Sequence, residues 1–206
     1  MPMDIPPPRP AVELTIASHG MSKGIGQTDG AQAIARAMLR FGDVQAGMQW
    51  KNVNSSSAHG EASMFVSGSH KFGSLQLNGG IAYKMLTAAP GRTDSTSWEF
   101  TGAATRKFGA VSLRANAIFS PDDLGSARRS LFVEAGPAVQ LARGWTASAA
   151  IGHRGREFAP DYTAFNAGVS KSIRWMQLDL RYYDTNRSRL GDAYHARIVA
   201  SARLSF

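Results

Sequence analysis

Residues Tyr194-His195-Ala196-Arg197-Ile198-Val199-Ala200-Ser201-Ala202-Arg203-Leu204-Ser205-Phe206 decide the fold. Tyr194, Ala196, Ile198, Ala200, Ala202, Leu204 and Phe206 share one face. His195, Arg197, Val199, Ser201, Arg203 and Ser205 share the other. A period of two with one apolar and one polar face is the signature of a β-strand.

The same alternation runs back through the chain. Met176, Leu178, Leu180 and Tyr182 oppose Gln177, Asp179, Arg181 and Tyr183. Phe165 to Ser170, Trp145 to Gly152, Leu131 to Gln140 and Val111 to Phe119 read alike, as do Trp98 to Phe108, Leu75 to Met85 and Ala62 to Phe72. Val44 to Trp50, Ala31 to Phe41 and Val12 to Ser18 complete about twelve predicted strands. Ser18, His70, Arg106 and Thr163 are the polar intruders on the apolar face.

The connections alternate in length. Arg40-Phe41-Gly42-Asp43, Lys71-Phe72-Gly73-Ser74, Lys107-Phe108-Gly109-Ala110 and Leu141-Ala142-Arg143-Gly144 are short. Each puts a glycine where a tight hairpin wants positive φ. Asn52 to Gly60, Thr87 to Ser97, Ser120 to Arg129 and Asp184 to Asp192 are longer and polar. Short turns on one side and long loops on the other are the plan of a transmembrane barrel. The predicted fold class is therefore all-β: a transmembrane antiparallel up-and-down β-barrel over residues 11–206, behind a Pro-rich tail over residues 1–10.

Composition removes the competitors. The 206 residues carry 23 Lys+Arg against 15 Asp+Glu, a net +8, and no cysteine. Thiolate metal sites and disulfide scaffolds are excluded. No stretch approaches the roughly 20 apolar residues of a membrane helix. Met1 to Pro10 lacks the basic-then-apolar plan of a signal peptide. Pro6-Pro7-Pro8-Arg9-Pro10 reads as polyproline II, a periplasmic tail or a segment folded into the lumen. The basic residues are interleaved with the strand pattern rather than gathered in a patch with exposed aromatics, which argues against nucleic acid as a partner.

Aromatic residues settle which face meets lipid rather than a soluble core. Phe41, Phe72, Phe108, Trp145, Trp175 and Phe206 lie at the short-turn end of the apolar face. Trp50, Tyr83, Trp98, Phe119, Tyr182 and Tyr194 lie at the long-loop end. Two membrane–water interfaces select two such girdles. Ten residues of strand span about 33 Å, or about 25 Å after a tilt near 40°, which matches the apolar band. A sheet of about twelve strands is also too wide for Ala- and Gly-rich apolar side chains to fill. An even strand number puts both termini on the short-turn side, expected to be the periplasm of a bacterial outer membrane.

The run Gly24-Ile25-Gly26-Gln27-Thr28-Asp29-Gly30 resembles the first outer loop of TorF-type porins, hypothetical outer-membrane proteins of Gram-negative bacteria. Gly26 departs from that family's Gly-Ile-Ser-Gln-Thr-like run. Gly47, Trp50, Asn52 and Val53 are similar to its Gly…Trp…Asn-Val segment, shifted by one residue, and Tyr182-Tyr183-Asp184-Thr185 to its late Tyr-Tyr-Asp-Thr. The resemblance implies an outer-membrane barrel of porin type and fixes no substrate. A terminal aromatic such as Phe206 also resembles the signal read by the outer-membrane barrel-assembly machinery. Outer-membrane lipid and lipopolysaccharide are the remaining expected partners.

The lumen carries the functional expectation. Inward basic residues are Lys23, Arg36, Arg40, Lys51, Lys71, Lys84, Lys107, Arg114, Arg154, Arg181, Arg197 and Arg203; inward acids are Glu13, Glu61, Glu99, Glu134 and Asp179. Barrel closure is expected to gather Arg36, Arg40, Arg197 and Arg203 on one wall. A basic wall in a narrow pore concentrates anions, so the first reading is a channel for small anionic solutes. The second is a non-conducting barrel with a structural or loop-binding role, in which acids neutralise bases. Lys84 with Glu99, and Glu13 with Arg40 or Arg203, are the candidate pairs.

A lipid-modifying enzyme is the third reading. His153 and Thr163 face outward near the long-loop end, but no serine and acid join them at readable spacing. His70 reads as an interfacial residue, and His19 and His195 as inward residues on adjacent strands, too few to specify a metal. Asp94 and the pair Asp122-Asp123 read as ordinary solvated loop acids rather than a calcium site. Gly24-Ile25-Gly26 is followed by no helix, so a phosphate loop is excluded. No catalytic residue, metal or cofactor is expected.

Overall fold

Alternation becomes a closed barrel of twelve long strands with one short hairpin inserted in its first long loop. The computed structural model describes residues 7–55, 58–87, 94–124 and 127–206. In chain order the strands are β1 (Arg9–Ala17), the short pair β2 (Met21–Ser22) and β3 (Ile25–Gly26), β4 (Gln32–Phe41), β5 (Val44–Ser55), β6 (Ala58–Phe72) and β7 (Leu75–Thr87). Then follow β8 (Thr96–Phe108), β9 (Val111–Asp123), β10 (Arg128–Ala142), β11 (Trp145–Arg156), β12 (Tyr162–Ile173), β13 (Met176–Thr185) and β14 (Arg197–Ser205). Each long strand pairs antiparallel with its sequence neighbours, and β14 returns to β1. Closure leaves no sheet edge, which a strand-built membrane protein requires.

The last residue takes part in that closure. The Phe206 N–H donates to the Val12 carbonyl at 2.9 Å, and the Val12 N–H donates to the Phe206 carbonyl at 3.1 Å. β1 begins at Arg9, two residues ahead of the expected Ala11, with Arg9 and Pro10 opposite Arg40 and Leu39 of β4. Pro10 is tolerated because its missing N–H, two residues before that of Val12, would face the β14 side beyond the reach of that strand. Of the proline run, Pro6 lies outside the described residues.

The outer face is apolar along its length. Ile16 and Ile198 are 65% and 64% exposed, a surface that only a lipid environment makes stable. Trp175 stacks on Phe206 at 5.8 Å between ring centroids, and Lys171 lies 4.8 Å over Trp145 at the same rim. At the other rim Tyr83 packs on Trp98 at 5.0 Å. Two of the polar intruders sit at the short-turn rim: His70 is 3.6 Å from Asp43, and Arg106 lies over Phe108 at 5.1 Å.

The short turns obey the glycine reading, with Gly42, Gly73, Gly109 and Gly144 all at positive φ. The fifth turn does so without glycine: Arg174, between Ile173 and Met176, has φ 49°.

The stretch before β14 departs from expectation. Ser188–Leu190 and Asp192–Tyr194 form two 3₁₀ turns. Tyr194 is therefore not a girdle residue: its ring packs edge-on against buried Tyr162 at 5.4 Å, and its hydroxyl accepts from Arg156 at 3.0 Å. His195 falls in the link to β14, and His19 lies beyond the end of β1, so neither is on a strand. The alternation of Tyr194 to Ala196 is a coincidence of composition in a segment that Gly191 has already turned, at φ 123°.

Candidate functional site in the barrel lumen

After β1 ends at Ala17, the chain crosses the lumen instead of rising as an open loop. Met21 pairs with Gly26 and Ser22 with Ile25, leaving Lys23-Gly24 as a two-residue turn. Both have positive φ, 50° and 81°, the type I′ pattern of tight hairpins. In the ring, β9 lies six places from β1 in either direction. Twelve strands about 4.8 Å apart and tilted by about 40° give a backbone diameter of roughly 24 Å. Six extended residues, Ser18 to Lys23, cover about 20 Å of that. The lysine side chain covers the remainder: its Nζ lies 3.0 Å from Asp123 Oδ2 on β9 and 3.1 Å from Glu99 Oε2 on β8.

The hairpin is fixed at its tip, flank and base. The Tyr162 hydroxyl donates to the Lys23 carbonyl at 2.6 Å. Gly24 lies so close to Ala164 that a Cβ there would collide with it. At the base, the Gln27 N–H donates to the Gly20 carbonyl at 2.8 Å, and the Gly20 N–H to Thr28 Oγ1 at 2.6 Å. Lys51 donates to Gln27 Oε1 at 2.8 Å, and Asn54 Nδ2 to Asp29 at 2.7 Å. Asn52 receives the Ala33 N–H at 2.6 Å and donates to the Ala31 carbonyl at 3.0 Å. The run Gly24 to Gly30 together with Lys51, Asn52 and Asn54 thus builds the hairpin and its footing.

Around the tip is a buried ion network. Lys51 and Glu61, directly opposite on β5 and β6, are 3.3 Å apart. Lys84 reaches Glu61 at 3.6 Å and Glu99 at 2.7 Å, the expected hairpin pair. Arg154 of β11 donates to Asp123, as does the Ser130 hydroxyl at 2.5 Å. Lys23, Lys51, Lys84 and Arg154 therefore face Glu61, Glu99 and Asp123. Asp123 is no solvated loop acid: it ends β9 and turns inward, where the β9–β10 register shifts between Arg128 and Ser130. Lys23 likewise sits on the crossing hairpin rather than on a wall strand.

Beneath the hairpin lies a cavity of about 450 Å³, roofed by Met21 to Gly24. Arg114, Asn116, Glu134, Asn166, Arg181 and Tyr183 line it. Arg181 donates to Asn166 at 2.8 Å and Ser148 at 2.9 Å, and pairs with Asp179 at 3.2 Å. Asn166 passes the chain on to Glu134 at 2.9 Å. Arg114 has no ion-pair or hydrogen-bond partner among the described residues, and Asn116 Oδ1 is buried without one.

Toward the short turns the pairing thins. Glu13 lies between Arg40 at 3.7 Å and Arg36 at 3.9 Å, and Arg36 covers the Phe65 ring at 4.0 Å. Arg203 stands opposite Thr15, two residues along from Glu13. The fourth member of the expected wall is elsewhere. Arg197 opens β14 at the long-loop end, donates to the Asp192 carbonyl and lies against Gly26. Six residues of strand separate it from Arg203, about 20 Å. Lys71 and Lys107 are exposed at the short-turn end.

On the outer face His153 Nδ1 is 3.2 Å from Thr163 Oγ1, directly opposite it on β12. Among the described residues no carboxylate bonds to that histidine, so the pair lacks the third group that orients a catalytic base.

No protein-family model matches the sequence, and no curated protein matches it. Solved structures resemble the fold. A KdgM porin superposes with a TM-score of 0.67 at 10% identity, covering 95% of this chain and 99% of that one. A KdgM porin in complex with disordered oligogalacturonate gives 0.66 at 10% identity, with the same coverage. A NanC porin gives 0.61 at 8% identity, covering 94% of this chain and 97% of that one. At these identities the likeness is one of architecture: a single small barrel matched from end to end.

Proposed function

We propose that this chain is a porin-like channel of the bacterial outer membrane that passes small anionic solutes, with its termini in the periplasm. The observation that carries the reading is the uneven pairing of lumen charge. Three acids absorb most of the cationic charge at the long-loop end. Below them Arg36 and Arg40 share one acid, Glu13, and Arg203 and Arg114 have no ion-pair partner among the described residues. Fixed positive charge in a low-dielectric tube raises the local anion concentration. The architecture supports the reading, since the barrels it resembles are porins, one of them solved with an oligogalacturonate, a carboxylate-bearing saccharide. Membrane lipid and lipopolysaccharide would contact the girdles, and the assembly machinery would read Phe206. The resemblance to TorF-type porins fits the same proposal.

The test is a planar-bilayer recording of the purified protein in a KCl gradient. Discrete conductance steps with a chloride-selective reversal potential are expected. The crossing hairpin favours a second reading, a barrel that does not conduct and acts through its loops. Silent bilayers for the wild type and for variants that remove the hairpin would establish that reading instead.

A further inference from the structure

We propose that the hairpin β2–β3 is a gate across the lumen, latched by Lys23 on Glu99 and Asp123 and hinged where the chain leaves β1 and enters β4. The proposal rests on the channel reading and adds its regulation.

The first argument is charge balance. Glu99 keeps Lys84 at 2.7 Å when Lys23 is removed, and Asp123 keeps Arg154. The wall alone holds Lys51, Lys84 and Arg154 against Glu61, Glu99 and Asp123, three cations for three acids. Undocking Lys23 thus strands no carboxylate and leaves the wall charges balanced. A buried ion network that is complete with and without one member allows two states.

The second argument is the nature of the contacts. At the tip they are two ion pairs, one hydrogen bond from Tyr162 to a carbonyl, and the close packing of Gly24 on Ala164. Water can replace the polar ones once the hairpin lifts toward the long-loop end. The base is different: backbone bonds tie Gln27 to Gly20 and to Asn54, and the Gly20 N–H donates to the Thr28 hydroxyl. A firm base and an exchangeable tip are the mechanical requirements of a hinged lid. The third argument is position. Met21 to Gly24 roof the cavity holding Arg114 and Arg181, so lifting the tip opens that cavity to the long-loop side.

The absence of cysteine makes the test clean. In the double variant Lys23→Cys with Glu99→Cys, a short bis-methanethiosulfonate linker joined to both thiols by disulfides, the oxidised form, ties the tip to β8, and reduction releases it. The oxidised form is expected to conduct less than a tenth as much as the reduced form. Lys23→Gln should lengthen open times, and deletion of residues 21–26, whose flanks Gly20 and Gln27 already touch, should raise conductance several-fold. Equal conductance of the oxidised, reduced and deleted forms would overturn the gate and leave the channel standing. A conducting deletion with silent wild type, reduced form and Lys23→Gln would mean a fixed plug, and would also overturn it. Silence of every form, with barrels folded by heat-modified gel mobility, would remove the channel reading itself.

Discussion

At the long-loop end of the lumen every acid of the network touches two cations, and at the short-turn end one acid serves two arginines. Glu61 is shared by Lys51 and Lys84, Glu99 by Lys23 and Lys84, and Asp123 by Lys23 and Arg154. These side chains are at most 14% exposed, whereas Arg36 is 30% and Arg40 50% exposed. Water explains the difference. A charge shielded from water by a crossing hairpin needs a partner, because an unpaired buried charge is costly. A charge on a more exposed wall needs none, so the lower arginines keep a charge that the proposed channel would present to solutes. On the proposed channel reading, the same residue types serve cohesion at one end and the field inside the pore at the other.

The largest expected effect breaks the upper network. Asp123→Ala leaves Arg154 without its carboxylate and should destabilise the barrel by about 3–5 kcal/mol. Glu13→Ala, on the wetter wall, should cost less than about 1 kcal/mol. Urea unfolding in lipid vesicles measures both. Similar losses would mean that the two ends are equally dry.

A somewhat smaller effect tests the boundary that makes the lumen a lumen. Leu113→Arg or Ala149→Arg, on the lipid face near the midplane, should cost about 2–4 kcal/mol. Asn116→Arg or Ser148→Arg, on the inner face of the same strands, should cost much less by the same assay.

Much of this contrast was legible in the sequence. The alternation of Val111 to Phe119 or Met176 to Tyr183 can place its residues in only one way once the apolar face meets lipid. The pair Lys84–Glu99 was expected from simple hairpin register, although Lys84 stands opposite Ser97 and reaches Glu99 diagonally. The crossing hairpin was not legible. Alternation predicts walls, and nothing in the period of two tells a loop that rises into solvent from one that folds inward. Met21-Ser22-Lys23-Gly24-Ile25-Gly26 is too short for either reading to dominate. Its signal was indirect: Lys23-Gly24 suits a two-residue turn. Asp123 was missed for a related reason, because the register shift that turns it inward leaves no trace in the pattern. Tyr194 was misplaced because a 3₁₀ turn occupies residues that happen to alternate, and Arg197 because six residues of β14 hold it away from Arg203.

The smallest expected effect concerns the turns that join the walls. Arg174 holds a positive φ that the other short turns give to glycine. Arg174→Gly should stabilise the barrel by about 1 kcal/mol, since the left-handed region costs an L-residue about that much. The mirror change, Gly73→Ala, should cost a similar amount. A loss of stability in Arg174→Gly would show that the arginine side chain at that rim contributes more than its backbone costs.

The central claim, that unpaired charge in the short-turn half sets the field of the pore, is tested most directly by reversal potential in a KCl gradient. The wild type should favour chloride. Arg36→Glu with Arg40→Glu should shift the preference toward potassium, and the shift should shrink near 1 M salt, where the Debye length falls to about 3 Å. Lys51→Gln with Glu61→Gln, which removes a matched pair from the long-loop end, should leave the reversal potential unchanged. A potential that moves with the upper pair and ignores the lower arginines would contradict the account.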